Sequence, residues 1–154
     1  MIIGDTGAIV ALIDRSDRHH EALTAIYEEN PSQWVLPWAI LPEVDYLVGK
    51  YMGPRAEEAF LADLADGVFH VEWGREDDLV RAHALVRQHR ALELGLVDGI
   101  VIAVAERLRA SAIATLDLRH FGAVAITHRP ALLPRDRQVP RGTGSPPISS
   151  TAAV

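Results

Sequence analysis

Met1-Ile2-Ile3-Gly4-Asp5-Thr6-Gly7-Ala8-Ile9-Val10-Ala11-Leu12-Ile13 opens the chain, and the change of pattern inside it decides the fold. Met1 to Gly4 is a short apolar run, the signature of a strand buried on both faces. From Thr6, a residue able to cap a helix, the pattern switches: Ile9, Val10 and Ile13 recur at helical spacing. A buried strand is thus followed at once by a helix to about Ile13.

The same alternation continues through the chain. A helix is expected over about residues 19–28, then a turn at Asn30-Pro31-Ser32 and a strand at Trp34-Val35-Leu36, closed by Pro37. Leu41, Val44, Leu47, Val48 and Tyr51 form the apolar stripe of a helix from about Ala39, with Pro42 tolerable in its first turn. Gly53-Pro54 punctuates, and a further helix runs from Pro54 to Asp66. A strand follows at residues 68–71, then a helix at about 76–89 whose first-turn acids suit the helix dipole. Residues 98–109 read as an almost wholly apolar central helix, and residues 113–116 and 124–126 as the last two strands. Short apolar strands alternating with helices predict an α/β fold with a central parallel sheet flanked by helices. Beyond Leu133 the composition turns to Pro, Gly, Ser and Thr, too poor in large apolar residues to order itself. The reading is therefore one domain over residues 1–133 and a disordered tail over 134–154.

The 154 residues suit one domain with a sizeable core, and 49% hydrophobic with 23% charged is ordinary for a globular protein. The absence of cysteine excludes disulfides, thiolate metal sites, iron–sulfur clusters and cysteine nucleophiles. No signal peptide and no apolar run of membrane-spanning length is seen, so a cytoplasmic location is expected. The net charge is −6 but unevenly placed: residues 1–74 carry 13 acids against 4 bases, and residues 75–154 carry 8 against 11. Overall acidity opposes indiscriminate nucleic-acid binding, while the basic second half leaves room for a local polyanion track. Lys50 is the one lysine; every other base is arginine, which suits phosphate.

Four carboxylates stand at the edges of apolar segments rather than on solvated faces: Asp5, Glu43, Asp98 and Asp117. Such placement costs free energy unless a partner is supplied. In a parallel sheet ligands bind beyond the carboxyl ends of the strands, where Asp5 and Asp117 would emerge. Glu43 and Asp98, near helix starts, can point to the same end. An all-oxygen set, without sulfur or an obvious histidine set, suits Mg²⁺ or Mn²⁺. Metal held there would activate water and stabilise charge on a phosphoryl oxygen. Each acid also has a plain structural reading: Asp5 as a helix cap, Asp98 as a complement to a helix dipole, Glu43 as solvated, Asp117 in an Asx turn.

Three of these segments resemble a known family. The opening Ile2 to Leu12 is similar to the start of PIN-domain ribonucleases, specifically VapC toxins of bacterial toxin–antitoxin pairs. Leu96-Val97-Asp98-Gly99-Ile100-Val101-Ile102-Ala103-Val104-Ala105 resembles their third acidic motif, and Ile113-Ala114-Thr115-Leu116-Asp117-Leu118-Arg119-His120-Phe121 their final one. Pro42-Glu43-Val44 fits the second acidic position. The resemblance covers residues 1 to about 133. It implies a three-layer PIN-like domain and an Mg²⁺- or Mn²⁺-dependent endoribonuclease with Asp5, Glu43, Asp98 and Asp117 as its acidic site. Asp5 and Asp98 would be direct ligands, with Thr6 and Thr115 hydrogen-bonding behind them. It further implies a homodimer acting on RNA and neutralised by a VapB-like antitoxin.

Two rivals are weighed. A phosphotransfer domain needs a lysine beside its aspartate, and Lys50 sits mid-helix. A non-catalytic acidic groove binding a partner peptide is the alternative that the four acids disfavour. His19-His20, and His83 with His89, do not share a helix face and read as solvated. Arg119 and His120 read either as phosphate contacts or as a surface turn, Arg81, Arg87 and Arg90 as a solvated face, and Trp34 and Trp38 as core.

Overall fold

Three short, fully apolar segments lie side by side at the centre of the molecule, and everything else is arranged around them. These are β1 (Ile2–Gly4), β2 (Trp34–Pro37) and β4 (Ala112–Ala114). The computed structural model describes residues 1–137. Two edge strands, β3 (His70–Glu72) and β5 (Ala131–Leu133), complete a parallel sheet of order β3-β2-β1-β4-β5. Ile3, Leu36, Ile113 and Ala114 are wholly buried, as central strands covered on both faces must be.

Seven helices flank the sheet: α1 (Thr6–Ile13), α2 (His20–Glu29), α3 (Leu41–Met52), α4 (Pro54–Ala65), α5 (Glu76–Gln88), α6 (Leu96–Arg107) and α7 (Leu118–Phe121). Helix α1 packs on both α2 and α3, α3 packs on α4, and α5 packs on α6. In α6, seven consecutive residues, Gly99 to Ala105, are buried, so the helix is apolar all round because it is enclosed all round. Gly99 makes this enclosure possible. A Cβ there would lie 2.9 Å from Ala82 Cβ and 3.2 Å from Ala82 Cα on α5.

The chain moves outward from β1 through β2 to β3, then returns to the other side of β1 for β4 and β5. The strand order therefore reverses between β1 and β4, and the crevice beyond their carboxyl ends is where such a sheet binds ligands. Among the described residues no helix is long and apolar enough to cross a membrane.

The fold class agrees with the sequence reading, but one strand does not. Residues 124–126, expected as the fifth strand, form turns, with Ile126 N donating to Val124 O and Arg129 N to Ile126 O. Val124 and Ile126 are buried as plugs against the core, which gave them their strand-like look. The edge position goes instead to residues 131–133, in register with 112–114. Ordered structure continues past Leu133: Asp136 N donates to Leu132 O, and Asp136 Oδ2 accepts from Leu132 N at 2.8 Å. Of the tail expected over 134–154, residues 138–154 lie outside the described residues.

Replacing Gly99 by valine should force α5 and α6 apart at Ala82 and cost about 1–3 kcal/mol, the usual range for overpacking. Urea unfolding checks this: the midpoint should fall with the slope unchanged, and an unaltered midpoint would show the helices have slack.

Candidate active site

Asp5 is the residue after β1, and its amide still belongs to the sheet, donating to Ala114 O at 2.9 Å. It stands at the N-cap position of α1, yet its carboxylate makes no cap hydrogen bond. Instead Oδ2 accepts from the Thr115 hydroxyl at 2.8 Å, and the same hydroxyl oxygen accepts from Asp117 N at 3.0 Å. Thr115, 1% exposed, thus ties the acid leaving β1 to the acid leaving β4. The simple capping role does not describe Asp5.

The other acids are held as firmly. Asp98 is the third residue of α6, not its first, because the helix begins at Leu96; its Oδ2 turns back to accept from Gly95 N at 3.1 Å. Asp117 caps the short α7 through Oδ1, which accepts from His120 N at 3.0 Å. Glu43, in the first turn of α3 behind Pro42, accepts from the Thr6 hydroxyl at 2.9 Å. One pocket of about 890 Å³ is lined by all four acids together with Thr6, Leu96, Leu116, Leu118 and Arg119. Asp5 forms its buried floor, whereas Glu43 is exposed and Asp117 half-exposed at the rim.

The sequence reading gave His120 only a phosphate-contact or surface-turn role. His120 places Nδ1 2.8 Å from Asp117 Oδ2 and 3.4 Å from Asp98 Oδ2. Neither contact has hydrogen-bond alignment, and both buried ring nitrogens are without a partner. The spacing Asp117 to His120, three residues across one helical turn, was the available signal. The expected all-oxygen set, without an obvious histidine set, gains this one histidine as a neighbour of Asp98 and Asp117. Other residues stay apart: His19, His83, His89, Arg81, Arg87 and Arg90 do not line the acidic pocket, and Arg81 is committed to Glu106 at 2.7 Å. Trp34 is core, 1% exposed.

Crowding has an electrostatic cost. Burial pushes the Asp5 carboxyl up to about 6, with the Thr115 hydrogen bond pulling it back and the charges of Asp98 and Asp117 adding to the rise. Asp98 is also held above the usual carboxylate range, first by burial and further by Asp117 and Glu43, against the pull of Gly95 N and His120. Among the described residues no Lys or Arg forms an ion pair with any of the four acids. The missing positive charge, the oxygen-rich donor set and the orphaned imidazole together fit a divalent cation. Ligand atoms of Asp98, Asp117 and His120 all lie within 4.8 Å of one another, a spacing one ion can bridge.

A parallel sheet with acids gathered at its switch point defines an α/β domain with a candidate cation site. The chain belongs to the PIN-domain family, whose model its residues 2–127 match. It is 32% identical over 124 residues to ribonuclease VapC26 of Mycobacterium tuberculosis, covering 80% of this chain and 91% of that one. The fold resembles the crystal structure of M. tuberculosis VapC20, described as a sarcin–ricin loop cleaving toxin. The TM-score is 0.73 at 23% identity, over 83% of this chain and 98% of the other. It also resembles VapBC2 of Rickettsia felis bound to a promoter DNA fragment, with a TM-score of 0.63 at 17% identity over 86% and 97% of the two chains.

Because the folded protein holds the Asp5 proton more tightly than the unfolded chain, the metal-free protein should lose stability as pH rises from about 4 to about 6. The shift from 3.8 to about 6 corresponds to about 3 kcal/mol at neutral pH. Urea unfolding in EDTA should therefore show Asp5→Asn gaining on wild type across that window and holding the gain above it. A difference that does not change with pH would contradict the assigned burial cost.

Proposed function

We propose that the protein is a divalent-metal-dependent endoribonuclease toxin of the VapC kind, working in the cytoplasm and neutralised by a VapB-like antitoxin. The observation that carries this reading is the meeting of Asp5, Glu43, Asp98 and Asp117 in one pocket, at the switch point of a PIN-family sheet, with no Lys or Arg among the described residues paired to them. Carboxylates alone would repel a phosphodiester, so the reading requires a cation.

Asp5 and Asp98, with Asp117 and His120 beside them, would hold Mg²⁺ or Mn²⁺. When bound, such an ion lowers the pKa of water and stabilises charge on phosphoryl oxygens. The chain supplies position. Thr115 fixes Asp5, Gly95 N fixes Asp98 and Thr6 fixes Glu43, so little reorganisation remains when substrate arrives. Glu43, at the exposed rim and steadied by Thr6, orients the attacking water. Arg119, 67% exposed, is the one basic side chain among the described pocket residues and offers a cation to the incoming phosphate.

Relationship to ribonuclease VapC26 supports RNA as the substrate, and the likeness to VapBC2 of R. felis supports an antitoxin partner. A homodimer is part of the same reading. Trp73, Leu79 and Val80 are 75%, 48% and 69% exposed, large apolar side chains of the kind that partner surfaces use.

Purified protein with Mg²⁺ should cleave total cellular RNA, EDTA should stop it, and Asp98→Asn should slow it more than about 100-fold, exceeding the loss typical of residues that merely support a ligand. Undiminished cleavage by Asp98→Asn would overturn the mechanism. Expressed without an antitoxin, the wild type should arrest growth and Asp5→Asn should not; equal arrest by both would remove catalysis as the cause.

A further inference from the structure

A second hollow, of about 250 Å³, adjoins the acidic pocket and is lined by none of the four acids. It is walled by Thr115, Leu116, Leu118 and Pro134, with His19 and Arg135 as its polar groups. Leu116 and Leu118 line both hollows, so the two share a wall. Leu118, 42% exposed at the start of α7, has no other buried role. Apolar walls with a few convergent polar groups describe a small-ligand site. The volume falls below the ~300–1,000 Å³ of pockets for drug-sized ligands and suits a single planar ring system.

We propose that this hollow receives one unstacked nucleobase of the RNA strand whose backbone crosses the acidic pocket. The proposal rests on the ribonuclease reading and deepens it to single-stranded RNA read at one position. Sequence-selective RNA recognition works by splaying bases out of the stack, packing their faces on side chains and bonding their edges. The polar groups are prepared for this. His19 Nε2 accepts from Arg18 Nε at 3.0 Å, which leaves Nδ1–H as a donor to an acceptor on a base edge. Arg135 spends Nε and Nη2 on Asp136, at 2.7 and 2.9 Å, so its guanidinium plane is fixed and offers a face for stacking. A phosphate would find few donors here. The competing occupant is an apolar side chain of a bound peptide.

Two measurements on the full-length protein test the proposal. The first is a titration with adenosine, guanosine, cytidine and uridine in EDTA, followed by the leucine methyl resonances. At least one nucleoside should shift Leu116 and Leu118, and ribose alone should not. The second is cleavage of a randomised single-stranded RNA with Mg²⁺. The wild type should prefer one base at a fixed position from the cut, and His19→Ala and Leu118→Ala should each reduce that preference about tenfold. Methyls unmoved by every nucleoside would overturn the proposal. So would a wild-type preference that both variants retain. If the wild type cuts no RNA, the ribonuclease reading falls and the proposal with it; the titration separates these failures because it needs no cleavage.

Discussion

The parallel pairing of β1 with β4, Ile2 against Ala112 and Gly4 against Ala114, is the constraint on which the site depends. It brings the residues leaving both strands to one level and lets a single hydroxyl, that of Thr115, bind the carboxylate of Asp5 and the amide of Asp117 at once. A slip of one residue would turn Asp5 to the opposite face of the sheet and break its bond to Thr115, leaving only the local bond from the Asp117 amide. The buried apolar residues of these strands set the register, so the core positions the acids although it touches none of the chemistry.

The acids are arranged against the interest of the fold alone. Elsewhere in the molecule the same problem is solved differently. Asp78, 3% exposed, takes both Nε and Nη2 of Arg107, whose second partner is Glu72, and the guanidinium stays above its ordinary pKa chiefly through the Asp78 bond. That network joins α5, α6 and β3, and each of its carboxylates has the guanidinium of Arg107 as a partner. At Asp5 and Asp98 compensation is withheld, and burial together with like charge raises both carboxyls. Local rules broken at one place and obeyed around it are the mark of a site built for a ligand.

Much of this was legible in the residues. The strand-to-helix switch after Gly4, the apolar run from Ile100 to Ala105 and the turn residues between segments gave the α/β architecture. Failures came where a local pattern had two physical causes. Val124 and Ile126 are apolar because they plug the core, and a short run does not distinguish a plug from a strand. Leu118 and His120 look like any residues of a surface turn until α7 is folded beside Asp98. Pro134 to Arg137 resemble a solvent-exposed tail in composition, yet hydrogen bonds to Leu132 hold their start in place.

The sequence by itself determined the layered class of the fold and the identity of the isolated acids, because periodicity and the cost of a carboxylate beside apolar segments are local properties. Only the tertiary structure decided which oxygens share a pocket, that His120 joins them with unpartnered nitrogens, and that a second hollow opens behind Leu116 and Leu118. Those are distances between residues far apart in the chain, and they follow from register and packing, which no single segment contains.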